Sequence, residues 1–475
     1  MLAAAVAAVG LGAACSPHRV TRDPAPPLDV PDAYGEVRTG EPAERWWLEL
    51  DDPQLQALIE RAFAGNLQLA GAWARLEQAR AGARSVGAAR WPQVSAELQA
   101  SRQEIRNVFA DVDDVPIEID ETLRQDLVSA TLAASYEIDL WRKLSSRQRA
   151  AVLDAEAARD DAEILAISLA AQVAEAWYDV VVERARLDLL NDQVEVNETF
   201  LELVMLRFRQ GLASALDVHQ QRQQLLATRA QRSLAEARAD VSLYQLAVLV
   251  GAPPSEALGA IDDRAELPPL PEPPATGLPA DLLDRRPDVR AARRRVEAAD
   301  YRVAAAIADR LPSLSLTGSA GFQSRSFTDL LTTPIWSLAA SLGQVIFAGG
   351  RLDAEVDRAE AVRRELTAAY GQALLEALFE VEAALAQERQ QRVYIEEREQ
   401  ELETARAALN EARHRYRQGL SDFLPVLTAL QSVQALELEL LAAERQALSF
   451  RLQLYRALGG GWPAELTDPD AESSA

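Results

Sequence analysis

The stretch RFRQGLASALDVHQQRQQL, residues 207–225, returns as RYRQGLSDFLPVLTALQSV at 415–433. The 208-residue register then holds without a gap to Gly251 and Gly459, and backwards through Val173 and Val381 to Leu144 and Leu352. Upstream it slips to 220, where NLQLAGAWARLEQARAGARSVGAARWP (66–92) aligns with RPDVRAARRRVEAADYRVAAAIADRLP (286–312). A period this long marks a duplicated domain rather than a solenoid repeat. The copies differ by 12 residues, all lying between Pro92 or Pro312 and Leu144 or Leu352.

Between Arg142 and Phe208 there is no proline or glycine, and apolar residues recur at threes and fours through Leu153, Ile164, Ile167, Val173, Val180, Leu187, Val194 and Leu201. That pattern predicts one helix over 142–208, a rod of roughly 65 residues and about 100 Å. Its twin spans 352–416, broken only by Gly371, which a helix interior tolerates at about 1 kcal/mol. Gly211 and Gly419 close the rods as left-handed C-caps. Ser214 and Asp422 follow as N-caps of return helices over 214–249 and 422–457. The prediction is two antiparallel helical hairpins.

Strand signals occupy the segments where the copies differ. Val94, Ala96, Leu98 and Ala100 alternate with Gln93, Ser95, Glu97 and Gln99. Val128, Ala130, Leu132, Ala134, Tyr136 and Ile138 alternate with Ser129, Thr131, Ala133, Ser135, Glu137 and Asp139. Strands are expected at about 93–109, 127–140, 313–323 and 336–347. Apolar residues on one face and hydroxylic or acidic ones on the other suit a lipid-facing barrel with a wet lumen, although a soluble sandwich alternates in the same way. Outside the N-terminus no unbroken run of 18 apolar residues exists, and a closed barrel is the other way to span a bilayer. Membrane barrels need at least eight strands, so chains with four must share one: two copies supply eight and three supply twelve.

Composition narrows the partners. Against 73 acidic residues stand 49 basic ones, a net charge of −24, which repels phosphate backbones and argues against a nucleic-acid partner. Cys15 is the only cysteine and can form no internal disulfide. It follows the apolar stretch Leu2 to Ala14, with Gly12, Ala13 and Ala14 just before it and Leu11 four residues before. This has the form of a bacterial lipoprotein signal at 1–14, cleaved before an acylated Cys15. The alternative is a free cysteine buried in an N-terminal helix, which Ser16, Pro17 and the Pro-rich 24–31 segment would end.

Several stretches carry a family resemblance: RWWLELDDPQLQALIERAFAGNLQLAGAWARLEQARA (45–81), YEIDLW (136–141), GLPADLLDRRPDVRAA (277–292), LPSLSLTGSAGF (311–322) and QVIFAGGRL (344–352). Together with the twin RxRQGL tips they resemble the TolC-like outer-membrane factor family, in its lipoprotein branch serving efflux pumps. The resemblance implies a mainly α fold with membrane β. In it a homotrimer shares a twelve-stranded barrel in outer-membrane lipid, continued by a twelve-helix periplasmic α-barrel. It also implies an inner-membrane transporter and a periplasmic adaptor as partners, with a passive exit duct as the activity. The expected division is a signal peptide at 1–14 and a lipidated extended segment at 15–44. A first repeat at 45–251, a Pro-rich equatorial linker at 252–280, a second repeat at 281–460 and a tail at 461–475 follow. Two residues depart from the family pattern: Arg293, where a glutamate is usual, and Arg142, where a glycine is usual.

The hairpin tips are the candidate gate and adaptor-docking site. They comprise Arg207, Arg209, Gly211, Leu212 and Asp217 in the first copy, and Arg415, Tyr416, Arg417, Gly419, Leu420, Ser421 and Asp422 in the second. By resemblance, Asp217 and Tyr416 match positions that hold the periplasmic mouth shut, while Ser421 replaces an arginine found there in some members. Capping explains some of these residues without any gate: Ser214 with Asp217 reads as a capping box and Asp422 as an N-cap. No chemistry competes with this. His18, His219 and His414 are isolated, no Cys/His ligand spacing exists, and no phosphate-binding glycine loop precedes a lysine, so no catalytic residue, cofactor or metal site is expected. Within the family the alternatives are the duct of a type I secretion or metal-efflux system. Outside it the alternative is a coiled-coil scaffold, which leaves the alternating strands unexplained.

Overall fold

The computed structural model describes residues 17–35, 40, 43, 45–106, 122–257 and 266–460. Cys15, the 107–121 segment and the tail at 461–475 lie outside the described residues. The helices and strands run α1 (Pro53–Gly65), α2 (Leu67–Ala88), β1 (Gln93–Arg106), β2 (Thr122–Ile138), α3 (Lys143–Arg209) and α4 (Ala215–Leu249). After the linker come α5 (Pro287–Ala308), β3 (Ser313–Ser324), β4 (Pro334–Gly343), α6 (Arg351–Arg417) and α7 (Leu424–Ala457), with short helical turns at Pro254–Ala257 and Leu282–Arg285. Both α3 and α6 are unbroken over 67 residues, about 100 Å each. The residues fall into two compact units. One comprises Met1–Ala25, Glu77–Ala157 and Ala292–Ala369, and the other Pro26–Leu76, Ala158–Ala291 and Tyr370–Ala475.

The first unit carries the sheet, an antiparallel meander in the order β1-β2-β3-β4. Its register stacks like with like. Val94, Ala134, Gly318 and Leu338 form one row, and Ala96, Leu132, Ala320 and Trp336 the next. The other parity gives Gln93, Ser135, Thr317 and Ala339, then Ser95, Ala133, Ser319 and Ser337. On that polar face the Ser319 and Ser337 hydroxyls hydrogen-bond at 2.8 Å. On the apolar face Trp336, Leu338, Val94 and Leu98 stand 67–80% exposed. A soluble protein of this size seldom leaves so large a contiguous apolar surface uncovered.

Two strands differ in extent from the sequence expectation. β2 begins at Thr122 rather than 127, because Arg102 and Asp126, directly opposite on the two strands, neutralise one another on the outward face through two hydrogen bonds of 2.6 and 2.9 Å. β4 runs from Pro334 to Gly343 rather than over 336–347. Its last residue pairs with Ser313, beyond which Pro312 has no N–H to extend the ladder. β2 stops at Ile138, because the next residue serves the helix that follows. Asp139 accepts the N–H groups of Leu144 and Ser145 at 3.0 and 2.8 Å and so caps α3. Between them Arg142 sits at φ +58°, the left-handed conformation that accounts for the usual glycine there. An 18-residue window in α3 and another in α7 are apolar enough to cross a membrane, which a search for unbroken apolar runs passes over; 67% and 39% of them are buried within the chain.

The second unit holds the main core. Trp46, Trp47, Leu55, Ile59, Trp177, Tyr178, Val181, Leu246 and Tyr455 are all buried in one cluster. Two of its large polar side chains are paired, as burial favours: Trp177 donates to Asp52 at 2.9 Å, and Arg451, fully buried, is held bidentate by Glu388 at 2.7 and 3.1 Å. The RPD motif is an anchor here. Arg286, buried at 5% exposure, binds Asp288, Glu380 and the Ala457 carbonyl. Gly371 lets the N-terminal segment approach α6, since a Cβ there would lie 2.8 Å from Pro27 Cγ. In the first unit the same segment pairs Asp23 with Arg293 at 3.1 Å, the second departure from the family pattern.

Lower on the rods a polar layer interrupts the apolar packing. Asn197 of α3 donates to Thr228 of α4 at 3.0 Å and to Gln434 of α7 at 3.3 Å. Gln221 donates to Asn197 at 3.0 and 3.2 Å, and Gln224 donates to Gln434 at 3.1 Å. Asn197, Gln221, Thr228 and Gln434 are all buried. Only one copy supplies most of the layer: 208 residues on from Asn197, Gln221 and Thr228 stand Ala405, Ala429 and Leu436.

Candidate functional site at the hairpin tips

Both rods end in the same closure. Leu212 N–H bonds the Arg207 carbonyl at 2.8 Å and Gly211 N–H the Phe208 carbonyl at 2.9 Å. The equivalent bonds from Leu420 to Arg415 and from Gly419 to Tyr416 are 2.9 and 3.0 Å. These are paired Schellman motifs, and they need the left-handed φ of +75° at Gly211 and +74° at Gly419. They leave Leu212, Leu420, Leu216 and Leu424 55–65% exposed at the two reversals.

Beyond the reversals the copies diverge. In the first, Ser214 and Asp217 form a reciprocal capping box: Asp217 N–H donates to the Ser214 hydroxyl at 3.2 Å, and Ser214 N–H to the Asp217 carboxylate at 2.8 Å. In the second, Asp422 does not cap α7, contrary to the expectation. The helix starts at Leu424, Phe423 takes the N-cap position, and no side chain bonds the cap. The reason is Pro425, which occupies the position matched to Asp217. A cap at Asp422 would bond the N–H three residues on, and proline has none.

Tyr416 joins the two hairpins. Its side chain is 4% exposed in a cluster with Phe200, Val204, Leu409, Phe423 and Val426, and its ring lies 5.4 Å from that of Phe423. Arg207 of the other hairpin stacks over it, guanidinium carbon 4.3 Å from the ring centroid, and donates to the Tyr416 carbonyl at 3.2 Å. A guanidinium over a buried ring is a favourable cation–π contact. Burial pushes the Tyr416 hydroxyl above the usual tyrosine range, opposed by Arg207 and reinforced by Asp217. The Tyr416 hydroxyl, Arg207 Nε and Ser421 Oγ are buried polar atoms with no hydrogen-bond partner within the described chain.

The structure therefore brings Arg207, Tyr416, Asp217 and Ser421 to one tip, leaves Arg209, Arg415, Arg417 and Asp422 exposed around it, and shows Arg207 as the residue that clamps Tyr416. The sequence signal for that clamp was an asymmetry: Arg207 and Arg415 repeat, but Tyr416 is matched by Phe208, which is 47% exposed.

A duplicated chain with two 67-residue helices, a four-stranded sheet apolar on its uncovered face and glycine-capped tips defines the subunit of a channel that joins a β-barrel to a helical tunnel. Sequence comparison agrees: the outer membrane efflux protein family matches residues 58–252 and 278–460, and the chain belongs to that family. It is 32% identical to the pyoverdine export outer membrane protein OpmQ of Pseudomonas putida, covering 95% of this chain and 96% of that one. It is 30% identical to the toluene efflux pump outer membrane protein TtgF of the same species, covering 91% and 90%. Among solved structures it superposes on the outer-membrane channel OprN with a TM-score of 0.86 and 28% identity over 94% of this chain and 100% of that one. On VceC of Vibrio cholerae the TM-score is 0.81, with 27% identity over 89% and 100%. The protein is an outer-membrane efflux channel.

Proposed function

We propose that three copies of this chain form the passive exit duct of a tripartite pump, energised by an inner-membrane transporter through a periplasmic adaptor. The observation that carries this is the sheet, with four strands, free edges at β1 and β4, and one apolar face. Open edges cannot face lipid, and four strands cannot enclose a wet lumen. Three copies close twelve strands and bring twelve helices together below them. Cys15 carries lipid as the mature N-terminus, each buried CH₂ adding about 0.8 kcal/mol to membrane attachment. The exposed tip leucines and Arg209, Arg415 and Arg417 receive the adaptor. The duct performs no covalent chemistry, and the transporter chooses the cargo; relatives named for pyoverdine and for toluene fit one duct design serving different transporters.

Thiol labelling of the full-length protein tests the barrel. With the acylated Cys15 setting the background, cysteine at Ser129, Thr131 or Ser135 is expected to react with a small charged reagent through the lumen. Cysteine at Leu132 or Ile138 is expected to react only with a lipid-soluble one. The opposite parity would reverse the faces of the sheet, and a monomeric mass in mild detergent would remove the shared barrel.

A further inference from the structure

The chain is strongly acidic, yet one cavity within its sheet-bearing unit is basic. About 560 Å³ in volume, it is lined by Arg147 of α3, Arg302 and Asp309 of α5, and Arg351, Glu355 and Arg358 of α6, over a floor of small apolar residues such as Ala305 and Ala306. Four guanidinium groups meet two carboxylates there. Asp309 is engaged by Arg147 and Glu355 by Arg358 at 2.8 Å, while Arg302 pairs with Asp154 outside the cavity lining. Arg351 is exposed and makes no ion pair among the described residues. It also opens α6, directly after Gly349 and Gly350 at φ +59° and +83°, so the positive end of the helix dipole adds to the potential.

A chain of ion pairs says which side of the sheet this cavity belongs to. It runs from Glu137 on the polar face to Lys143, the only lysine in the protein. It continues from Lys143 to Asp309 at 3.8 Å and from Asp309 to Arg147. A neighbouring cavity shares Asp309 and Val345 with the first, and of the four strand residues that line it three, Glu137, Ser313 and Gly343, are of the polar parity and one, Ile138, of the other. The basic site therefore lies at the helical end of the sheet, on the side that the duct reading makes the lumen.

We infer that this cavity is a binding waypoint for carboxylate-bearing cargo, three copies of it forming a cationic ring where solutes enter the barrel. The inference rests on the duct reading. A planar guanidinium with a free edge takes a carboxylate bidentately, and Arg351 supplies that edge without having to break an existing pair. Low-dielectric walls concentrate the field of such a ring on anions passing through it.

Single-channel recording of the full-length protein in a planar bilayer at low salt tests it, with citrate as the probe added from the helical side. Citrate is expected to interrupt the wild-type current and the block to weaken as salt rises. Arg351→Gln raises the half-blocking citrate concentration about tenfold, the change expected from losing one charge-assisted contact, and Arg351→Lys keeps part of the block. Wild-type channels that conduct but ignore citrate, or an Arg351→Gln channel blocked as readily as wild type, overturn the waypoint and leave the duct standing. A wild-type protein that forms no channel at all overturns the duct reading, and the waypoint with it.

Discussion

Gly211 and Gly251 hold nearly the same backbone conformation, φ +75° and +74°, but in different surroundings. A Cβ on Gly211 would meet nothing within 4 Å, whereas one on Gly251 would lie 2.0 Å from the Gly65 carbonyl oxygen. Replacing Gly211 with alanine therefore adds only the left-handed penalty of about 1 kcal/mol. Gly251→Ala must in addition move backbone, so its loss of stability should be at least twice as large in denaturant melts. Equal losses would mean that the Gly65–Gly251 contact yields freely. Arg142 reports the same physics from the other side: at φ +58° it bears a strain that the usual glycine avoids. Neither the closeness of Gly65 to Gly251 nor the strain at Arg142 can be read from residue type alone, because both depend on what the fold places opposite.

The two return helices make a controlled comparison of capping. Ser214→Ala breaks a reciprocal box and is expected to cost about 1 kcal/mol. Asp422→Ala removes no cap from α7 and should shift the melting temperature little; a loss matching that of Ser214→Ala would restore Asp422 as a cap. The rods were legible in the sequence because sixty-odd residues of threes and fours, free of proline, allow no other regular structure. The strands were legible only where the alternation is pure. Past Ala100 and before Val128 the outward positions become Arg102, Glu104, Arg124 and Asp126, and hydropathy cannot see that Arg102 meets Asp126 across the hairpin. The tip was legible in position but not in mechanism: Arg207 over Tyr416 joins residues 209 positions apart, and no local pattern announces it.

For the molecule as a duct, the question is what separates gating from mere packing at Tyr416. Its hydroxyl is buried and makes no hydrogen bond within the described chain, so Tyr416→Phe should leave thermal stability close to wild type while raising single-channel conductance, if the packing of Tyr416 at the tip helps to hold the mouth shut. Combining it with Asp217→Ala should raise conductance further. Unchanged conductance in both would leave Tyr416 as a core residue and Asp217 as a cap. The buried amide layer around Asn197, Gln221 and Gln434 bears on an earlier event, the birth of the channel. Each chain offers two hairpins with long helices of equal length and matching tip closures, which leaves newly made subunits open to pairing through like halves, first copy against first copy. Such a dimer would keep the bonds among Asn197, Gln221 and Thr228 but lack the α7 Gln434 that accepts from Asn197 and Gln224, and a buried amide donor that loses an acceptor is costly. The layer thus works as a spelling check on assembly: only the second copy carries Gln434, matched by Leu226 in the first, so unlike halves complete the set and like halves do not.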